Sequence, residues 1–162
     1  MSSFFRRPHP PTTTPQPEPD PPESPRALAQ AIEGQIEFVN RNAGRLPVES
    51  VVLARRVTDA ASDVVDLAAS AELEMQLALT VRKIVTDYLP TALRTYLALE
   101  ADAVELSSAQ GITPRQALTQ QLADLWAGAI DLRSAAQSRD ADALVSHGAF
   151  LRTKFSGSDL DL

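Results

Sequence analysis

The sequence predicts an all-α protein: an antiparallel bundle of about five to six helices with a disordered, Pro-rich N-terminal arm. Three observations lead there. Beyond residue 25, alanine and leucine dominate, and apolar residues recur three and four apart, the spacing of one helix face. No convincing stretch alternates apolar and polar residues as a half-buried strand would. Nine of the 12 prolines fall in the first 25 residues, where a fixed φ and missing N–H donors exclude helix and central strand alike.

The domain division follows from these shifts. Residues 1–23 read as the arm, 24–157 as the helical domain and 158–162, "SDLDL", as an acidic C-terminal tail. The stretch "PHPPTTTPQPEPDPPESP" leans toward extended polyproline II and reads as a tether. Its PxxP spacings are what any proline-dense stretch contains. Phe4-Phe5-Arg6-Arg7 offers at most a weak peripheral contact with an anionic membrane, and a solvated tip is the preferred reading.

The helices can be justified in order. Ser24-Pro25 reads as an N-cap followed by a first-turn proline. Leu28, Ile32, Ile36 and Val39 then form one stripe, and Asn42, Ala43 and Gly44 end it. A second helix begins near Pro47, with Leu53, Val57, Ala60, Val64 and Leu67 inward and Arg55, Asp59, Asp63 and Asp66 outward. The three acids share a face with Arg55 and Arg56 and have no histidine near, so they read as a solvated face rather than a metal site. A third helix is expected from about Ser70, carrying Leu73, Leu77, Val81, Ile84 and Tyr88, with Arg82 and Lys83 opposite. Pro90 then reads as the first-turn proline of a fourth helix, with a sharp corner at Leu89; a single kinked helix is the alternative. Leu93, Leu97 and Val104 resume the stripe, with Tyr96 beside it.

Thr113-Pro114-Arg115-Gln116 is the clearest local signal: a capping threonine, a first-turn proline and the glutamine of a capping box. The helix it opens carries Leu118, Leu122, Leu125, Ala129, Leu132 and Ala136, a heptad seam of the kind found in coiled coils and bundles. Leu118, Leu122, Leu125 and the flanking Trp126 are the candidate interface, the seam being core or subunit contact and Trp126 an anchor. Ser138 is expected to cap the last helix, with Asp140 and Asp142 in its first turn, Leu144, His147, Leu151 and Phe155 on its inner face, and Gly157 at its stop.

Charge and composition exclude several classes. The net charge is −6, which argues against a general nucleic-acid binder. No apolar run reaches the roughly 20 residues of a membrane span. The first residues lack the apolar core of a signal peptide. The absence of cysteine rules out disulfides and thiolate zinc sites and fits a reducing cytoplasm.

No catalytic, cofactor-binding or metal-ligating residues are assigned. No GxSxG elbow, phosphate loop, dinucleotide fingerprint or HExxH pair occurs. The helix-spaced aromatics Tyr88, Tyr96, Phe150 and Phe155 read as core. The histidines are His9, in the arm, and His147. His147 is the candidate pH-sensitive residue; it is expected to turn inward and stay neutral, since no acid lies four residues away on its own helix. Gly148 beside it leaves room for a close helix contact.

The stretch "VRKIVTDYLPTALRTYLAL" resembles XpaC-like proteins, in which a helix runs into tyrosine, leucine, proline and threonine, then leucine and a further tyrosine. Those positions are Tyr88, Leu89, Pro90, Thr91, Leu93 and Tyr96. The family is associated with hydrolysis of an indolyl phosphate. The resemblance implies an all-helical bundle and transfers no catalytic residue. Asp87-Tyr88 stands where a tyrosine pair is usual, and a Pro-rich arm replaces a membrane segment. The resulting expectation is a non-enzymatic, cytoplasmic interaction or scaffold protein that uses no cofactor and meets a protein partner or a second copy. A ligand-sensing bundle is the alternative, and a phosphohydrolase-associated protein is a more distant one.

Overall fold

A computed structural model describes residues 20–69, 75–99, 111–138 and 141–156. Every regular element among them is helical: α1 (Pro25–Asn42), α2 (Val48–Ala69), α3 (Met75–Lys83), a π-helical segment (Ile84–Tyr88), α4 (Leu89–Leu97), α5 (Pro114–Ser138) and α6 (Ala141–Ser156). The expectations for residues 1–19, Leu73, Val104, Asp140 and the acidic tail lie outside the described residues, as does the side chain of Leu144.

Local chemistry sets the helix ends. The Ala27 N–H donates to Ser24 Oγ at 3.2 Å, so Ser24 caps α1 as expected. The capping box of α5 is complete: Gln116 N–H donates to Thr113 Oγ1 at 3.2 Å, and Thr113 N–H donates to Gln116 Oε1 at 3.0 Å. At the end of α1 the Asn42 amide donates to the Phe38 carbonyl at 2.8 Å, satisfying a last-turn acceptor. Ser138 is the last residue of α5, its hydroxyl donating back to the Ala135 carbonyl at 3.1 Å; its expected capping of the last helix involves residues outside the described ones.

The corner expected at Leu89 is absent. Tyr88 (φ −68°, ψ −51°) and Leu89 (φ −61°, ψ −53°) both hold right-handed helical angles, so α3 passes into α4 without a break. The transition is a π turn, in which the Leu89 N–H reaches back five residues to the Ile84 carbonyl. In an α-helix the ring of Pro90 would press on the carbonyl four residues back. The wider turn admits that ring while keeping helical φ and ψ. Ile84 and Val85, at the start of this turn, are both buried.

Cross-helix contacts give the helix directions. α5 and α6 are antiparallel, Asp124 meeting Lys154 and Asp131 meeting His147. α2 and α5, the most extensively packed pair, are parallel: Glu49 meets Arg115 near both starts, and Asp63 meets Arg133 near both ends. α1 runs parallel to α3 and α4, since Glu23 meets Arg82 and Phe38 lies under Arg94. An antiparallel bundle therefore does not describe the principal contact, which joins two helices of the same direction.

The core draws on every helix, with Leu28, Ile32, Val57, Val64, Leu93, Leu122, Leu132 and Leu151 almost wholly removed from solvent. Each such burial contributes about 1.5–3 kcal/mol. The inward face of α2 is broader than its stripe suggested. Ala54, Ala61 and Val65 are buried, while Leu67 remains 39% exposed. α2 lies between α1 and α5, so contacts on two sides bury an arc wider than one stripe. Among the described residues, no helix is long and apolar enough to cross a membrane.

Candidate interaction surface

The edge where α2 and α5 lie side by side gathers the most unusual surface chemistry. Glu49, Arg56 and Asp63 stand seven residues apart, which places them on one flank of α2. They face Arg115, Trp126 and Arg133 of α5. Glu49 and Arg115 approach to 3.5 Å, and Arg133 Nη1 donates to Asp63 Oδ2 at 2.9 Å. Between them the Arg56 guanidinium lies 4.9 Å from the centre of the Trp126 ring. Such a stack is worth about 0.5–1 kcal/mol at an exposed site. Beneath the edge, fully buried Ser50 shares a hydrogen bond with Thr119 at 3.2 Å, fixing the register of the two helices.

Near the N-terminal ends the edge opens into a groove of about 340 Å³ lined by Glu49, Arg115, Gln116, Thr119, Gln120 and Ala123. Val52 lies along the same flank of α2, 44% exposed, and Val48, at the first turn and further round the helix, is 77% exposed. The lining residues are mainly polar or charged, but the surface they turn to the groove is mostly apolar, and its carboxylate is engaged by a guanidinium.

The structure separates the sequence's interface candidates. Leu118, Leu122 and Leu125 are buried in the chain's own core. The physical reason is that α5 is central: α2 flanks it on one side, α6 on another, and α4 also packs on it. Trp126, one step off the seam, stays partly accessible at the α2 edge.

His147 is not turned into the core. Its side chain is 31% exposed, and Nδ1 lies 3.7 Å from Asp131 Oδ2 on α5. No spacing within α6 signals this partner, because the acid sits on the neighbouring helix. Gly148 does permit a close contact: a Cβ there would stand 3.4 Å from the Thr80 hydroxyl of α3. Of the acidic trio on α2, Asp63 is occupied by Arg133. Among the described residues, no three carboxylates or histidines are grouped to hold a metal ion.

The aromatic residues divide by exposure. Tyr96 and Phe155 are buried, and the Tyr88 and Phe155 rings stack with centroids 5.3 Å apart. Burial, reinforced by the Asp87 carboxylate and opposed by Arg152, pushes the Tyr88 phenol above its ordinary pKa. Phe150, expected inside, is 51% exposed and lies under the Lys154 ammonium, 5.4 Å from the ring centre.

No protein-family model matches the chain, and neither does any curated protein or solved structure.

Proposed function

We propose that this chain is a non-enzymatic interaction or scaffold protein of the cytoplasm, and that it meets a protein partner along the α2–α5 edge. The observation that carries this reading is the partly accessible Trp126 ring under the Arg56 guanidinium, with exposed Val52 one turn before Arg56 on the same flank of α2. Tryptophan and arginine are the residue types that most often dominate binding energy, and their pairing here holds both side chains in place before a partner arrives. The absence of cysteine suits a reducing compartment. The resemblance to XpaC-like proteins supports a helical architecture and nothing chemical, because Leu89, Pro90, Leu93 and Tyr96 of that stretch are all buried packing residues.

The test uses the full chain as bait, compared with Val52→Glu, which charges the edge at an exposed position. A partner captured by the unaltered chain and lost with Val52→Glu, at equal thermal stability, supports the edge as the docking surface. The same partner captured equally by both excludes it. Hydrolysis of phosphate esters by the purified chain would refute the non-enzymatic reading.

A further inference from the structure

We infer that the chain's own Pro-rich arm occupies the α2–α5 edge, with Pro8–Pro11 on the Trp126 ring; this rests on that edge being the docking surface. Along the edge Glu49 pairs with Arg115, and Asp63 pairs with Arg133. Arg56, between them, meets no carboxylate or other oxygen acceptor among the described residues; its guanidinium lies over Trp126 at 4.9 Å. Five N–H donors are thus held at an accessible aromatic ring. Val52, one turn earlier, is 44% exposed. The stretch "PHPP" has the opposite chemistry. Three of its four residues lack an N–H, so it presents carbonyl oxygens and almost no donors. In polyproline II those carbonyls make no internal bonds. Its rigid, apolar rings pack on aromatic faces at low ordering cost. The Trp126 ring receives the prolines, and Arg56 donates to their carbonyls.

Reach selects the part of the arm. Arg55 Nη2 donates to Asn40 Oδ1 at 2.8 Å, so Arg55 and Arg56 stand level with the end of α1. The start of α1 lies 15 residues before Asn40, about 23 Å at 1.5 Å per residue. The α2–α5 edge is one and a half helix spacings to the side of α1, about 15 Å. The diagonal is about 27 Å, which takes about nine residues of polyproline II at 3.1 Å each. Asp20 lies beside Arg26 at the start of α1, 3.6 Å away. Nine residues back from Asp20 is Pro11. Arg55 and Arg56 are both exposed, so this path runs over the outer surface of α2. A tether of this length holds Pro8–Pro11 near the ring at an effective concentration in about the millimolar range.

Trp126 is the chain's single tryptophan, so its fluorescence in the full chain reads this edge alone. Pro8→Ser, Pro10→Ser and Pro11→Ser, made together, should raise acrylamide quenching of Trp126 by about 1.5- to 2-fold, the change expected when a millimolar tether keeps a weak site closed about half the time. In an Arg56→Gln chain the same triple change should add nothing. The rise should persist over about a hundredfold dilution, because the tether is intramolecular. Equal quenching with and without the triple change overturns the proposal, as does a rise of the same size in Arg56→Gln. A rise that fades on dilution overturns it too, by assigning the arm to a second copy. Equal quenching alongside a partner that Val52→Glu still loses strikes out the arm and leaves the edge as the docking surface.

Discussion

A Cβ placed on Gly128 would lie 2.7 Å from Leu151 Cδ2, closer than two packed carbons come. Leu151 is 1% exposed and has little room to turn away. Gly128→Ala should therefore cost about 1 kcal/mol even though alanine is the better helix former, because overpacking outweighs propensity. Leu151→Ala alone should cost about 2–5 kcal/mol. Combined, the two should fall short of their sum by at least about 0.5 kcal/mol, measured by urea denaturation. Strict additivity would mean that the contact does not set the α5–α6 spacing.

Leu122 is fully buried on the central helix. Leu122→Ala is expected to lower stability by about 2–5 kcal/mol at any protein concentration. A loss that appears only on dilution would place this residue at a subunit contact instead.

Pro90 lies within continuous helix, so replacing it restores an N–H and removes a ring from the chain's interior. Pro90→Ala should keep the helical circular dichroism and leave stability equal or higher, by up to about 1 kcal/mol, since proline inside a helix is disfavoured by about 3 kcal/mol and lost packing offsets part of that. A drop above about 2 kcal/mol would show that the proline fixes a turn.

Tyr88 predicts the alkaline behaviour. Its folded pKa is raised above the ordinary 10.0 by burial and Asp87, against the pull of Arg152. Between those two pKa values the unfolded chain has lost the phenolic proton and the folded chain keeps it. Stability is thus complete below about pH 10 and declines as pH climbs past it. Tyr88→Phe should flatten this decline. The check is the denaturation midpoint followed from about pH 8 to about pH 11 in both proteins.

How much was legible beforehand depended on how local each cause is. The helical class, the Ser24 cap and the Thr113–Gln116 capping box rest on spacing and on bonds between residues three apart, which a linear sequence displays directly. The burial of Leu118, Leu122 and Leu125 followed from the same spacing. Pro90 defeated local reasoning because the π turn that accommodates it lies in a helix whose neighbours pack on both sides of the proline. A bare preference for first-turn proline does not weigh that packing.

The sequence by itself determined which segments are helical and which faces are apolar, because those depend on backbone propensity and a period near four residues. Only the tertiary structure decided which helices pair. The parallel alignment of α2 with α5 sets Arg56 over Trp126, and the antiparallel alignment of α5 with α6 sets Asp131 beside His147. Those partners lie 70 and 16 residues apart in the chain, and no periodicity within one helix can encode a contact made by another. The leucine seam read equally as core or as subunit contact for the same reason. A stripe records that a face must be covered, while the identity of what covers it comes from the packing of the whole chain.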